Sequence, residues 1–190
     1  QRGADQGFVL RAQANFLGYD FSLSTAKYLS DLVLGADFSG DAGPLGVHGE
    51  AAYTLNVSGW GGGGFGVEED FLRAVGGVEW RPLKSLVLLA EYHFNGHGAS
   101  EPDDYAARAL SERVASGEVF GVGRHYLGLV SSWAASDLLT LQATVLLNLL
   151  DPSAMLMPVL EWSAAQNALV RLGAFVPVGA NPSGHLDGTV

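Results

Sequence analysis

The chain has 190 residues, no cysteine, a formal net charge of −10 and a pI near 4.7. Its length allows one domain, and the missing cysteines exclude disulfides and thiolate metal sites. A nucleic-acid partner is excluded as well, because phosphate binding needs clustered cations and the only lysines are Lys27 and Lys84. Charged residues make up 16% of the chain, where a soluble domain carries about 25%. Mean hydropathy is +0.20, yet no run reaches the roughly 18 apolar residues of a membrane helix. The chain is hydrophobic overall but never in a block.

Taken in order, the chain alternates. Phe8, Leu10, Ala12, Ala14 and Phe16 stand against Arg11, Gln13 and Asn15, which predicts a strand with one apolar and one wet face. Tyr19–Tyr28 and Leu32–Ser39 read as the next two strands. In Leu45–Leu55 an apolar set opposes His48, Glu50 and Thr54. Phe71–Arg81 sets Leu72, Ala74, Val78 and Trp80 against Arg73, Glu79 and Arg81. The clearest case is Ser85–Asn95, where Leu86, Leu88, Ala90, Tyr92 and Phe94 alternate with a set ending in Glu91, His93 and Asn95. A helix would mix those faces. Arg124–Trp133 follows. Leu138–Asn148 also places Thr140, Thr144 and Asn148 on one helical stripe, but Asp137 and Asp151-Pro152 are turn signals at strand spacing. Met155–Trp162 and Ala168–Val178 complete about ten strands. Tyr53, Trp80, Tyr92, Phe94 and Trp162 lie on apolar faces near strand ends, as amphipathic rings do at a membrane surface; Phe175, on the Arg171 face, falls outside that set.

The connections alternate in length. Leu17-Gly18, Gly40–Pro44, Pro82–Lys84, Ala134–Asp137 and Ser163–Asn167 are short; between them lie Val57–Asp70, Gly96–Gly123 and Leu149–Ala154, and one of that second set, Leu29–Asp31, is also short. If short turns face the periplasm, the first strand starts outside and the last ends outside. That predicts at least one further strand at each end, and hence a piece of a barrel of twelve or more strands. Within Gly96–Gly123 a helix is expected from Pro102-Asp103-Asp104 to Gly117, with Tyr105, Ala109, Leu110 and Val114 as its apolar stripe.

Few constellations suggest catalysis. His93 and His97 share a face on a strand but would stand roughly 13 Å apart, too far for one metal ion. His125, Ser131 and Ser132 lie in one region without a nucleophile-elbow motif around them. The Gly59–Gly66 run lacks the Lys-Ser/Thr of a phosphate loop. No catalytic, cofactor or metal site is expected, and no cofactor. The polar residues Arg11, Gln13, Asp37, His48, Glu50, Arg73, Glu79, Glu91, His93, Gln142 and Arg171 are instead the candidates to line a water-filled lumen.

The alternating strands, aromatic rims and short-turn, long-loop rhythm resemble Gram-negative outer-membrane β-barrels of the porin-like kind. The resemblance implies an all-β, antiparallel up-and-down transmembrane barrel in the outer membrane, passing small solutes. Its partners would be the lipid bilayer, the solutes, and further strands or another chain that completes the wall. Two alternatives accompany it: a structural or adhesive barrel with a plugged lumen, and a soluble lipocalin-like ligand-binding barrel with the apolar face turned inward.

Overall fold

The computed structural model describes residues 7–28, 31–57, 70–151 and 153–179. The expected Val57–Asp70 loop, with its glycine run, lies outside the described residues except for its two ends, as does the tail from Ala180. The described chain is all-β and antiparallel. Its strands are β1 (Phe8–Phe16), β2 (Tyr19–Tyr28), β3 (Asp31–Ala42), β4 (Leu45–Asn56), β5 (Phe71–Leu83) and β6 (Leu86–Asn95). They continue as β7 (His125–Ser136), β8 (Leu139–Asn148), β9 (Ala154–Ala165), β10 (Ala168–Gly173) and β11 (Val176–Val178). Each strand pairs with the next in sequence from β1 to β10, an up-and-down sheet. The expected last strand is broken at Ala174-Phe175, and both of its pieces pair with β9. Among the described residues β1 and β10 do not pair, so the sheet is open there.

Register explains why the alternation matters. Directly opposed residues share a face. Phe21 opposes Phe38, Leu45 opposes Trp80, Leu88 opposes Trp80, and Leu86 opposes Trp133. Leu139 then opposes Trp162, and Val170 opposes Trp162. One continuous apolar face results, running across every strand. A slip of one residue would throw the polar set of a strand onto it, with a carboxylate or arginine in most strands and only neutral groups in β7 and β8, so register is held by the neighbours.

The five turns at one rim are all two residues long, at positions 17–18, 43–44, 84–85, 137–138 and 166–167. Several strands therefore run further toward this rim than the sequence suggested. Leu17 and Gly18 both have positive φ, as does Gly43 before Pro44; these are the mirror-image turns whose twist matches paired strands. Those two hairpins close without a shift in register. The other three turns lack positive φ, and each has a bulge beside it that absorbs the mismatch. At the opposite rim lie the longer connections, from β4 to β5, β6 to β7 and β8 to β9, together with the two-residue step from β2 to β3.

Burial is inverted relative to a soluble sheet protein. On the apolar face Trp80 is 47% exposed and Leu172 is 62% exposed. Leu88, Val145 and Leu172 form no shared dry interior, because Leu172 stands open. Fully buried side chains belong to the polar face and to the loop upon it.

Candidate functional site

The polar face is assembled by the same registers. Arg11 and Gln13 of β1 stand beside Ser24 and Ser22 of β2, and Ser22 beside Asp37 of β3. Asp37 opposes Glu50, His48 opposes Gly77, and Gly77 opposes Glu91. Arg73, Glu79 and His93 occupy alternate positions of β5 and β6, while Gln142 opposes Val159 and Arg171 opposes Glu161. All eleven candidate residues thus share one face. They do not meet at one point, and several form separate polar links across neighbouring strands.

Three such links stand out. Arg11 reaches Ser22 at 3.1 Å and Asp37 at 3.3 Å, and Ser22 bonds Asp37 directly. Arg171 pairs with Glu161 across β9 and β10. The third link spans three strands: His48 Nε2 of β4 lies 2.8 Å from Glu91 Oε1 of β6, passing over Gly77 of β5. Any Cβ at Gly77 would lie inside contact distance of both the imidazole and Glu91. Glycine is required there for close approach, not for turning.

The segment between β6 and β7 is laid over this face at the long-loop rim. It contains a 3-10 turn (Pro102–Asp104), α1 (Tyr105–Ala109) and α2 (Glu112–Ala115). The single expected helix is therefore two short ones, interrupted at Leu110-Ser111, where the Ser111 hydroxyl donates to the Arg108 carbonyl at 2.7 Å. The expected apolar stripe does not form. Leu110 is exposed and Ala109 faces solvent; Tyr105 is buried, but the buried residue of α2 is Arg113 rather than Val114.

Arg113 is the anchor. Its guanidinium, 2% exposed, donates to both Asp31 oxygens at 2.6 and 3.0 Å and to Glu118 at 2.6 Å. It also lies 5.1 Å from the centre of the Phe71 ring, in cation–π range. The bidentate Asp31 carboxylate pushes the arginine further up from its already high ordinary pKa, outweighing burial. The charge is fixed at every accessible pH.

Around this anchor the loop is tied strand by strand. Arg73 of β5 donates to the Glu118 carbonyl at 3.3 Å. His97 lies tilted against Phe71 with centroids 5.4 Å apart and meets Ser111 at 3.2 Å. Asn95 of β6 donates to the carbonyls of Gly121 and Gly123. The Tyr126 hydroxyl accepts from the Gly123 amide at 2.7 Å, and Asn148 of β8 donates to the Tyr105 hydroxyl at 2.8 Å. Burial raises the Tyr105 phenol above its ordinary value, against the lowering effect of Asn148. The loop therefore reaches from β3 to β8.

No family model, curated protein or solved structure matches this chain. What the site can do must be read from its own chemistry. Among the described residues no three His, Cys, Asp or Glu side chains converge on a metal position. His97 is committed to Phe71 and Ser111, while His93 lies edge-on to Tyr126. His125 bonds Tyr92 on the apolar face, and Ser131 and Ser132 point to opposite faces. The loop anchor was missed by sequence reasoning. Asp31 and Arg113 are 82 positions apart, and neither sits in a motif.

Proposed function

We propose that this chain forms the wall of an outer-membrane channel for small solutes, with the loop of residues 96–124 restricting its mouth. The observation that carries the reading is the inverted burial. Indole and leucine side chains stand exposed on one face, while the fully buried side chains, Asn95, Thr54, Arg113 and Val119, belong to the other face and the loop upon it. In water, an exposed apolar face running across ten strands would promote association. Against acyl chains the same face is matched, and the polar face is left to line water.

In this reading Trp80, Trp133 and Trp162 mark one membrane surface and Tyr53, Tyr92 and Phe94 the other. The edges of β1 and β10 are joined by further strands or another chain, because hydrocarbon offers no hydrogen bonds to an open edge. The porin-like resemblance in the sequence pattern agrees with this arrangement.

A second reading, a plugged barrel with a structural or adhesive role, is favoured by one observation: the loop is fastened from Asp31 to Asn148. Single-channel recording in planar bilayers separates the two. A channel conducts as isolated, and replacing residues 100–120 by a short Gly-Ser linker raises its conductance. A structural barrel is silent before that replacement.

A further inference from the structure

We infer that the polar face selects organic cations carrying an apolar body, an inference that rests on the channel reading. The face is divided into two sectors. On β2–β5 its positions include Asp20, Asp31, Asp37, Asp41, Glu50 and Glu79, against Arg73 and Arg81 of β5, while Lys27 of β2 lies on the other face opposite Phe8. Arg11 takes Asp37, Arg113 takes Asp31, and Arg81 takes Glu79. Asp20, Asp41 and Glu50 keep no cationic partner among the described residues. This sector carries net negative charge, and in a low-dielectric wall such charge concentrates cations.

The sector from β7 to β9 is different. The polar-face positions of β7 and β8, from Tyr126 to Ala134 and from Thr140 to Asn148, carry no Asp, Glu, Lys, Arg or His at all. One row across β6–β9 runs Leu89, Val130, Thr144, Met157, and the next runs Gly128, Leu146, Met155 across β7–β9, with Glu91 of β6 at its edge. Both methionines of the chain point into this strip, and Leu146 is 43% exposed there. A passage for ions alone has no use for such a lining, since apolar groups facing water are unfavourable by their area. Methionine is adaptable and suits varied apolar shapes. Ser132, Gln142 and Thr144 supply neutral hydrogen bonds within the strip. The loop touches both sectors, at Asp31 and at Asn148, so a solute passing it meets both.

The test uses the full chain in lipid nanodiscs, with tetramethylammonium, benzyltrimethylammonium and benzenesulfonate as probes, and binding read by saturation-transfer NMR. Benzyltrimethylammonium is expected to bind about ten-fold tighter than tetramethylammonium, the worth of burying roughly two methylenes. Benzenesulfonate is expected to bind far more weakly than either cation. Val130→Thr with Met157→Thr should erase most of the benzyl preference, and Glu50→Gln with Asp41→Asn should weaken both cations alike. Equal binding of the three probes, or preference for the sulfonate, overturns the inference. Potassium current measured in bilayers on the same preparation reports on the channel separately. Selective binding without current overturns the channel, and with it passage of these cations, while leaving their recognition by the face; current without selectivity overturns the inference and leaves the channel.

Discussion

The two faces of this sheet differ in what covers them. The apolar face carries the bulk expected of a protein core, yet its tryptophans and leucines stand open; the polar face carries charge, yet holds the buried residues. The difference shows that burial here follows from the loop and from polar links between strands, such as that of Ser22 with Arg11 and Asp37, more than from hydrophobicity. Without residues 96–124, little on either face would be enclosed. Register is set by alternation on both faces together, but most of the buried side chains gather at one rim, around Arg113 and the loop.

The largest effect expected from breaking this contrast is at that anchor. Arg113→Met leaves Asp31 buried beside a group that cannot neutralise it, and loss of one partner of a buried pair costs about 3–5 kcal/mol. The loop should then be cut by protease at concentrations that spare the parent, while the strands keep their far-ultraviolet signal. Next comes a paired charge scan on β8. Val145→Arg places a guanidinium on the apolar face, at about 2–4 kcal/mol near a bilayer midplane, whereas Thr144→Arg on the polar face should cost much less. Unfolding by urea in lipid vesicles reads the difference, and equal costs would dissolve the distinction between the faces.

Smaller is Gly77→Val, which forces His48 and Glu91 apart and should cost about 1–3 kcal/mol by overcrowding. Val75→Ala, on the same face and strand, serves as its control for mere shortening of a side chain. The smallest effect is in pH. The Tyr105 phenol is raised in the folded state, so its contribution is complete below the ordinary value of about 10 and is lost as pH climbs through the folded value. Protease sensitivity of the loop should rise modestly above that pH, and Tyr105→Phe should remove the dependence.

How much of this was legible in the sequence depends on range. β1 and β2 were read to the residue, because Leu17-Gly18 is a sharp signal between two clean alternations. At the other short turns the alternation carries on through small polar residues, so strands such as β3 and β9 extend beyond where composition suggests an end. The sharing of one face by all eleven candidate residues followed from period two alone. The loop was legible only as a helical tendency. Its apolar stripe failed because Leu110-Ser111 interrupts the helix, and with it the periodicity on which the stripe was drawn. The link from His48 to Glu91 had a faint signal, a glycine with a long polar side chain on each side of it, but only once register was known. Asp31 and Arg113 had none.

The central claim is that the apolar face meets lipid. Trp80, Trp133 and Trp162 all lie on that face, each near the short-turn rim, and Trp60 is the only other tryptophan of the chain. With Trp60→Phe in place, fluorescence of the reconstituted protein should be quenched by lipids brominated on the acyl chain close to the headgroup, and hardly by iodide in the buffer. Strong quenching by iodide, with none from brominated lipid, would put the indoles in water and contradict the account.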